Sequence, residues 1–197
     1  YIKKLNIVDE KKVKLLYDPI LNIKEINIKK RKNIELKNYF LSVGRLTKQK
    51  NFLFLCKAFK KIIEKDKNVK LAIAGNGEDK KKLEKFINKN NLNKNIILLG
   101  YIENIYPYFK HSRGFILSSL WEDPGFVLME ASLCRTPILS SNASPGPIEL
   151  IQDFNNGIIF ENNNINNFIK KFEIFKDYEN VHILKLNNLK KCKNFTI

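Results

Sequence analysis

Short apolar runs alternate with amphipathic segments from residue 38 to residue 175. The apolar runs predict strands at 38–44, 69–74, 95–99, 114–117, 137–140 and 157–160, and three of them end at or just before a Gly. Between them, apolar residues recur with helical spacing. This spacing predicts helices at 51–65, 78–90, 103–110, 126–133 and 165–175, and Gly146-Pro147 opens a further short helix.

Strands that are apolar on both faces and separated by helices are typical of a parallel sheet covered on both sides. We therefore predict the α/β class, with a Rossmann-like, doubly wound parallel sheet of about six strands at 38–178. We expect 1–37 to be an entry segment that is partly strand, and 179–197 to be a helical tail. Because Tyr1 is not an initiator Met, we expect a fragment, a processed chain or a trimmed one, and we expect the tail to be truncated because the sequence stops where a closing helix would run on.

Composition narrows the class of protein. An apolar content of 44% with 11% aromatic residues supports a packed core and excludes global disorder. The three cysteines and two histidines lack the spacing of metal ligands, and Cys56 and Cys134 lie among apolar residues, which indicates reduced core thiols. No signal peptide is visible, and no apolar run approaches the roughly 20 residues that span a bilayer. We expect a cytosolic protein.

A net charge of +16 favours anionic partners, namely nucleic acid, an anionic membrane face or a phosphorylated ligand. Many of the lysines, however, lie in amphipathic runs, where a solvated helix face is the simpler interpretation.

Two loops at predicted strand ends carry charged residues. In the loop 44–51, Arg45 and Lys50 suit the two phosphates of a diphosphate, although two cations in a basic protein are weak evidence alone. In the loop 118–126, the predicted helix start offers free backbone amides to a phosphate, and Gly125 would let a ligand approach the backbone. Glu122 and Glu130 could frame sugar hydroxyls there, or could be ordinary surface charges.

A third loop follows the strand predicted at 95–99. Tyr101 and Ile102 could flank a flat base, although a helix-packing role for Tyr101 is at least as plausible on physical grounds. The turn Gly75-Asn76-Gly77 lacks the third glycine of a dinucleotide fingerprint and is interpreted as ordinary turn chemistry.

Four segments in order resemble the retaining glycosyltransferases of the fourth sequence family, also called glycosyl transferases group 1. They are SVGRLTKQKN (42–51), LAIAGNGEDKKKL (71–83), NIILLGYIENIYPYFKHS (95–112) and SSLWEDPGFVLMEASLCRTPILSSNASPGPIELI (118–151). The resemblance covers roughly 13–175 and includes bacterial transferases of surface polysaccharides and lipid-linked glycans. It implies one half of the two-domain GT-B fold.

The resemblance implies roles for these residues. Arg45 and Lys50 match the cations that hold the donor diphosphate, and Glu130 matches the glutamate that binds the ribose. Glu122 matches the glutamate near the donor sugar, which is sometimes credited with catalysis. The backbone amides around 125–128 would contact the donor sugar and phosphates, and the base would lie near 101–102. The donor-binding residues implied by the resemblance are therefore Arg45, Lys50, Tyr101, Ile102, Gly125, Phe126, Val127, Leu128 and Glu130.

The implied function is hexosyl transfer with retention from a nucleotide sugar, expected to be UDP-linked, to a glycan or lipid-linked acceptor. The family needs no metal or other cofactor, and an N-terminal domain would supply the acceptor site. Two departures stand out: the run Glu122-Asp123-Pro124-Gly125-Phe126 is a variant, and Arg135 replaces a residue expected to cap a helix.

Two other functions remain open at this stage. One is a GT-B sugar-nucleotide epimerase or phosphorylase-like enzyme. The other is a basic nucleic-acid-binding module, which has the charge but no recognition motif, so that we expect no nucleic-acid partner. The surplus of lysine also suits peripheral docking on the anionic inner face of the cytoplasmic membrane.

Overall fold

A computed structural model describes residues 36–179 and 181–192. Six parallel strands form one sheet in the order β3-β2-β1-β4-β5-β6. The strands are β1 (Phe40–Val43), β2 (Leu71–Ala74), β3 (Ile96–Gly100), β4 (Gly114–Leu117), β5 (Ile138–Ser141) and β6 (Ile158–Phe160). The six-stranded, doubly wound sheet predicted from the pattern is confirmed.

Seven α-helices lie in the described residues, and a single 3-10 turn, Lys48–Lys50, precedes the first of them. The helices are α1 (Phe52–Lys65), α2 (Lys80–Lys89), α3 (Tyr106–His111), α4 (Phe126–Leu133), α5 (Gly146–Leu150), α6 (Ile165–Lys176) and α7 (Val181–Cys192). The predicted helices up to residue 175 are all present. The one predicted at 103–110 begins three residues late, because Pro107 sets its first turn.

The sheet is buried on both faces. Alternate residues of one strand enter different cores: Phe40 packs on the side of α1, α2 and α6, whereas its neighbour Leu41 packs on the side of α3 and α4. The aromatic ring of Phe40 meets that of Phe172 from α6 edge-on at 4.8 Å, and Cys56 and Cys134 are both buried. The predicted core thiols are confirmed, and burial raises the pKa of Cys56 to about 12.

The strand order creates a crevice beside β1. Since β1 is flanked by β2 on one side and β4 on the other, the helices that follow β1 and β4 pack on opposite faces of the sheet, and the loops that lead into them border a crevice at its carboxyl edge. These are the two charged loops singled out in the sequence. The entry segment predicted at 1–37 lies almost wholly outside the described residues, and the domain division at 37 and 178 stays a prediction.

Candidate functional site

The loops after β1 and β4 are joined by hydrogen bonds. The Leu120 amide donates to the Gln49 carbonyl at 2.8 Å, and the Gln49 side-chain amide donates to the Trp121 carbonyl at 3.0 Å. The Ser118 hydroxyl donates to the Lys50 carbonyl at 2.8 Å. The two strand ends therefore form one structural unit, which fixes the relative positions of the residues on it.

Lys50 and Glu122 form a buried ion pair in this unit. The Lys50 Nζ lies 2.8 Å from Glu122 Oε1 and 2.6 Å from Oε2, and their side chains are only 13% and 9% exposed. The Ser119 hydroxyl donates to Oε2 at 2.8 Å. Without ligand, the two charges neutralise each other, so that an anion entering the crevice would compete with Glu122 for Lys50.

Arg45 differs from Lys50 in its surroundings. Its side chain is exposed at the edge of the crevice, and within 36–179 and 181–192 no carboxylate pairs with it. Its guanidinium is therefore available to an anion without breaking a contact first.

The loop after β4 ends at Gly125, which precedes α4. Gly125 has φ +86 and is buried, and a Cβ there would lie 3.1 Å from Glu122 Cγ and 3.3 Å from Leu128 Cδ1. The left-handed φ and these two neighbours explain the glycine, which was predicted on the different ground of ligand approach. No side chain within 36–179 or 181–192 caps the start of α4. The Leu128 amide bonds to the Gly125 carbonyl, which leaves the amides of Phe126 and Val127 as the donors at the helix start.

Glu130 lies in the second turn of α4. Its side chain is half-buried, and burial raises the pKa of its carboxyl above the ordinary 4.5. In the described part of the chain no hydrogen bond or ion pair reaches this carboxylate, and it is not joined to the Lys50–Glu122 pair. A desolvated carboxylate without donors is a ready acceptor for hydroxyl groups.

The aromatic residues near the crevice are exposed. Tyr101, after β3, is 75% exposed, which rules out the helix-packing role considered for it, and Ile102 beside it is half-buried. Phe126 is 47% exposed and Trp121 is 51% exposed. β3 is two strands away from β1, and among the described residues no hydrogen bond joins Tyr101 to the Glu122 or Glu130 carboxylate.

Sequence reasoning missed three features of this site. Ser119 contacts Glu122 directly, and only its place at the end of an apolar strand could have indicated this. The start of α5 also joins the site, because the Gly146 amide donates to the Glu122 carbonyl at 2.9 Å. The third feature is Gly75, where a Cβ would lie 1.9 Å from the Gly44 carbonyl oxygen, so the loops after β1 and β2 pack backbone to backbone. The interpretation of that turn as ordinary was incomplete.

Comparison with known proteins gives a consistent result. The model of the family described as "Glycosyl transferases group 1" matches residues 23–192. An uncharacterised glycosyltransferase of Methanocaldococcus jannaschii is 44% identical over 112 residues, which are 57% of this chain and 28% of that protein. The N-acetylgalactosamine-N,N'-diacetylbacillosaminyl-diphospho-undecaprenol 4-alpha-N-acetylgalactosaminyltransferase of Campylobacter jejuni is 32% identical over 164 residues, 83% of this chain and 44% of that enzyme.

A solved structure with the same fold is that of a TarM variant of S. aureus in complex with Fondaparinux, alpha-GlcNAc-glycerol and UDP. It matches with a TM-score of 0.72 and 25% identity over 84% of this chain and 34% of that one. The predicted fold class, a Rossmann-like half of a GT-B architecture, is confirmed. This chain spans less than half the length of each of these three proteins. No helix of the described residues is long and apolar enough to cross a membrane.

Proposed function

Because the chain belongs to the glycosyl transferases group 1 family, we propose that it is the donor-binding half of a retaining glycosyltransferase. In the complete enzyme it would bind a UDP-linked hexose, which is transferred to a glycan or lipid-linked acceptor. The observation that carries the proposal is the crevice beside β1, where two cations, an uncapped helix start and two carboxylates gather at one sheet edge.

The diphosphate is assigned to the positive side of this crevice. Arg45 is exposed and unpaired within the described residues, and the start of α4 adds the amides of Phe126 and Val127 with the positive end of the helix dipole. Lys50 would turn from Glu122 toward the phosphates. Its charge would then stabilise the departing nucleoside diphosphate, which is the role that a metal ion plays in other transferases.

The sugars are assigned to the carboxylates. Glu130 lacks donors in the described part of the chain, so ribose hydroxyls would satisfy an acceptor that the fold leaves open. Once Lys50 turns away, Glu122 would keep the Ser119 hydroxyl and gain room for a hydroxyl of the donor sugar. Tyr101 and Ile102 remain the proposed wall for the base.

Two likenesses support UDP and a lipid-linked acceptor. UDP is bound in the TarM structure, and the name of the C. jejuni enzyme gives a diphospho-undecaprenol-linked acceptor. We place the acceptor site on a second, N-terminal domain and the complete enzyme at the cytoplasmic face of the membrane as a peripheral protein. Transfer of a labelled sugar by this chain alone would contradict the assignment of the acceptor site to a second domain. Failure of the complete enzyme to bind anionic vesicles would contradict the peripheral membrane location.

Calorimetric titration with UDP tests the donor site directly. We expect binding without added metal, and we expect Arg45→Gln to weaken it about tenfold, because a charge-assisted contact with a phosphate is lost. Arg135→Gln is the matched control, since Arg135 is also exposed but lies at the far end of α4. Absence of UDP binding, or an equal effect of the two variants, would count against the proposal.

A further inference from the structure

A second pocket lies at the same edge of the sheet, outside the donor crevice. It has a volume of about 340 Å³ and is formed by the 3-10 turn after β1, the starts of α1 and α2, and the loop before α6. None of the residues assigned to the donor lines it. The pocket is therefore a separate feature that the proposed donor site does not use.

Positive charge dominates the lining of this pocket. Lys48, Lys57 and Lys82 line it, against the single carboxylate of Asp79, which lies 3.5 Å from the Lys82 ammonium. Lys48 and Lys57 are exposed and have no ion-pair partner among the residues that the structure describes. Two uncompensated ammonium groups beside a third favour an anion that carries more than one charge or several acceptor oxygens.

The opposite wall of the pocket is apolar. Leu53 and Ile165 are half-buried there, and Phe54 is buried beneath them. The side-chain amide of Asn51 donates to the side-chain oxygen Oδ1 of Asn163 at 3.4 Å and connects the loop before α6 to the start of α1. Cations and a hydrocarbon surface thus share one small cavity, a combination that suits an anionic group attached to an apolar stem.

We propose that this pocket binds the phosphate of a phosphorylated lipid. The phosphate oxygens would meet the ammonium groups of Lys48 and Lys57, and the first carbons of the stem would pack on Leu53 and Ile165. A phosphate ester fits better than a carboxylate, because it brings up to two negative charges and three free oxygens to these donors. The starts of α1 and α2 add positive dipole ends on the same side. This inference does not depend on the donor assignment.

Mapping of backbone amide chemical shifts during titration with geranyl phosphate, a short phosphate ester with an apolar stem, tests the proposal. We expect the shifts to move at 48–57, 79–82 and 163–165. Lys48→Gln/Lys57→Gln should weaken binding about 25-fold, since each of the two cations near an anionic headgroup contributes about fivefold in affinity. The matched control Lys61→Gln/Lys85→Gln removes the same charge from exposed lysines of α1 and α2 outside the pocket and should retain affinity.

Three outcomes would overturn the proposal. An equal loss of affinity in the control variant would mean diffuse attraction to a basic surface. Equal affinity for inorganic phosphate and geranyl phosphate would mean that the apolar stem makes no contribution to binding. Displacement of geranyl phosphate by UDP would show that the two ligands share one crevice. Unchanged amide shifts in β4 and β5 establish that both variants are folded. The titration with geranyl phosphate does not require UDP binding, so it tests this pocket even if the donor assignment is wrong.

Discussion

The two carboxylates Glu122 and Glu130 stand eight positions apart in one motif, yet their surroundings are opposite. Glu122 is buried between the Lys50 ammonium and the Ser119 hydroxyl, so the protein itself balances its charge. Glu130 is half-buried without a donor among the described residues, and burial raises the pKa of its carboxyl. The first carboxylate is paired within the fold, and the second has no hydrogen-bond donor in the described part of the chain.

The difference in surroundings predicts that substitutions around Glu122 change the free energy of unfolding, whereas substitution of Glu130 changes ligand affinity. Removing a partner from a satisfied buried charge leaves the remaining charge uncompensated, which lowers the free energy of unfolding. Removing a buried carboxylate that has no partner relieves a desolvation cost instead and affects only what the carboxylate would bind. Substitutions at the two carboxylates and at their neighbours measure this difference.

Lys50→Met should have the largest effect on stability. Among the described residues it leaves only the Ser119 hydroxyl on the buried Glu122 charge, and we expect a loss of about 3 kcal/mol in the free energy of unfolding, measured by urea denaturation. Lys85→Met, an exposed lysine of α2, is the matched control and should change the free energy of unfolding by no more than about 0.5 kcal/mol.

A double variant distinguishes the charge from the packing of the lysine chain. Lys50→Met/Glu122→Gln removes the uncompensated carboxylate as well and should recover part of the lost stability. If Lys50→Met is no more destabilising than Lys85→Met, Glu122 is not held by this pair, and the contrast with Glu130 disappears.

Gly125→Ala should come next in size, because it disturbs the turn that places Glu122. Its φ of +86 disfavours any Cβ, and the added methyl group would lie 3.1 Å from Glu122 Cγ, so we expect a loss of about 2 kcal/mol. Gly100→Ala is matched, since Gly100 has φ +70 but nothing within 4 Å of its Cβ. Its loss should be about 1 kcal/mol. Equal losses would mean that only the backbone conformation matters at Gly125.

The sequence predicted the sheet well for a physical reason. Strands buried on both faces need continuous apolar runs, and the helices between them need amphipathic stripes. Each element can therefore be recognised from its own short stretch of sequence. The helix 126–133 was predicted with its observed ends, because Gly125 and the apolar run that follows mark its start.

The site was predictable only in part. The residues that line the crevice follow from their places at strand ends, but the pairing of Lys50 with Glu122 joins residues 72 positions apart. Such a contact depends on strand order, which no local pattern encodes. The close approach of Gly75 to Gly44 is likewise a contact between the ends of neighbouring strands. It requires a residue without Cβ at position 75, in addition to the requirement of the turn.

Ser119→Ala should cost less than either change above. Its hydroxyl donates to the Glu122 carboxylate, and a hydrogen bond to a charged acceptor contributes about 1.5 kcal/mol. Ser42→Ala is the matched control, because Ser42 is also buried and donates to a neutral carbonyl, that of Ile116, at 2.6 Å. A greater loss at Ser42 than at Ser119, measured by thermal or urea denaturation, would argue that Glu122 does not rely on this hydroxyl.

Glu130→Gln should have the smallest effect on stability and a clear effect on UDP affinity. The folded chain keeps the Glu130 proton to a higher pH than the unfolded chain, whose carboxyl has the ordinary pKa of 4.5. The ionised carboxylate therefore lowers the free energy of unfolding above its raised pKa, and this cost is absent below 4.5. Glu130→Gln should therefore be at least as stable as the parent at neutral pH, and it should show no gain in the free energy of unfolding below pH 4.5.

We expect the opposite pH dependence for UDP affinity, because in the proposed site the ribose hydroxyls donate to the ionised Glu130 carboxylate. Affinity should fall as the pH is lowered through the raised pKa, and Glu130→Gln should bind about tenfold more weakly at neutral pH without that dependence. Calorimetry at several pH values and denaturation at the same values measure both effects. A variant that loses stability at neutral pH but keeps UDP affinity would show that Glu130, like Glu122, serves the fold.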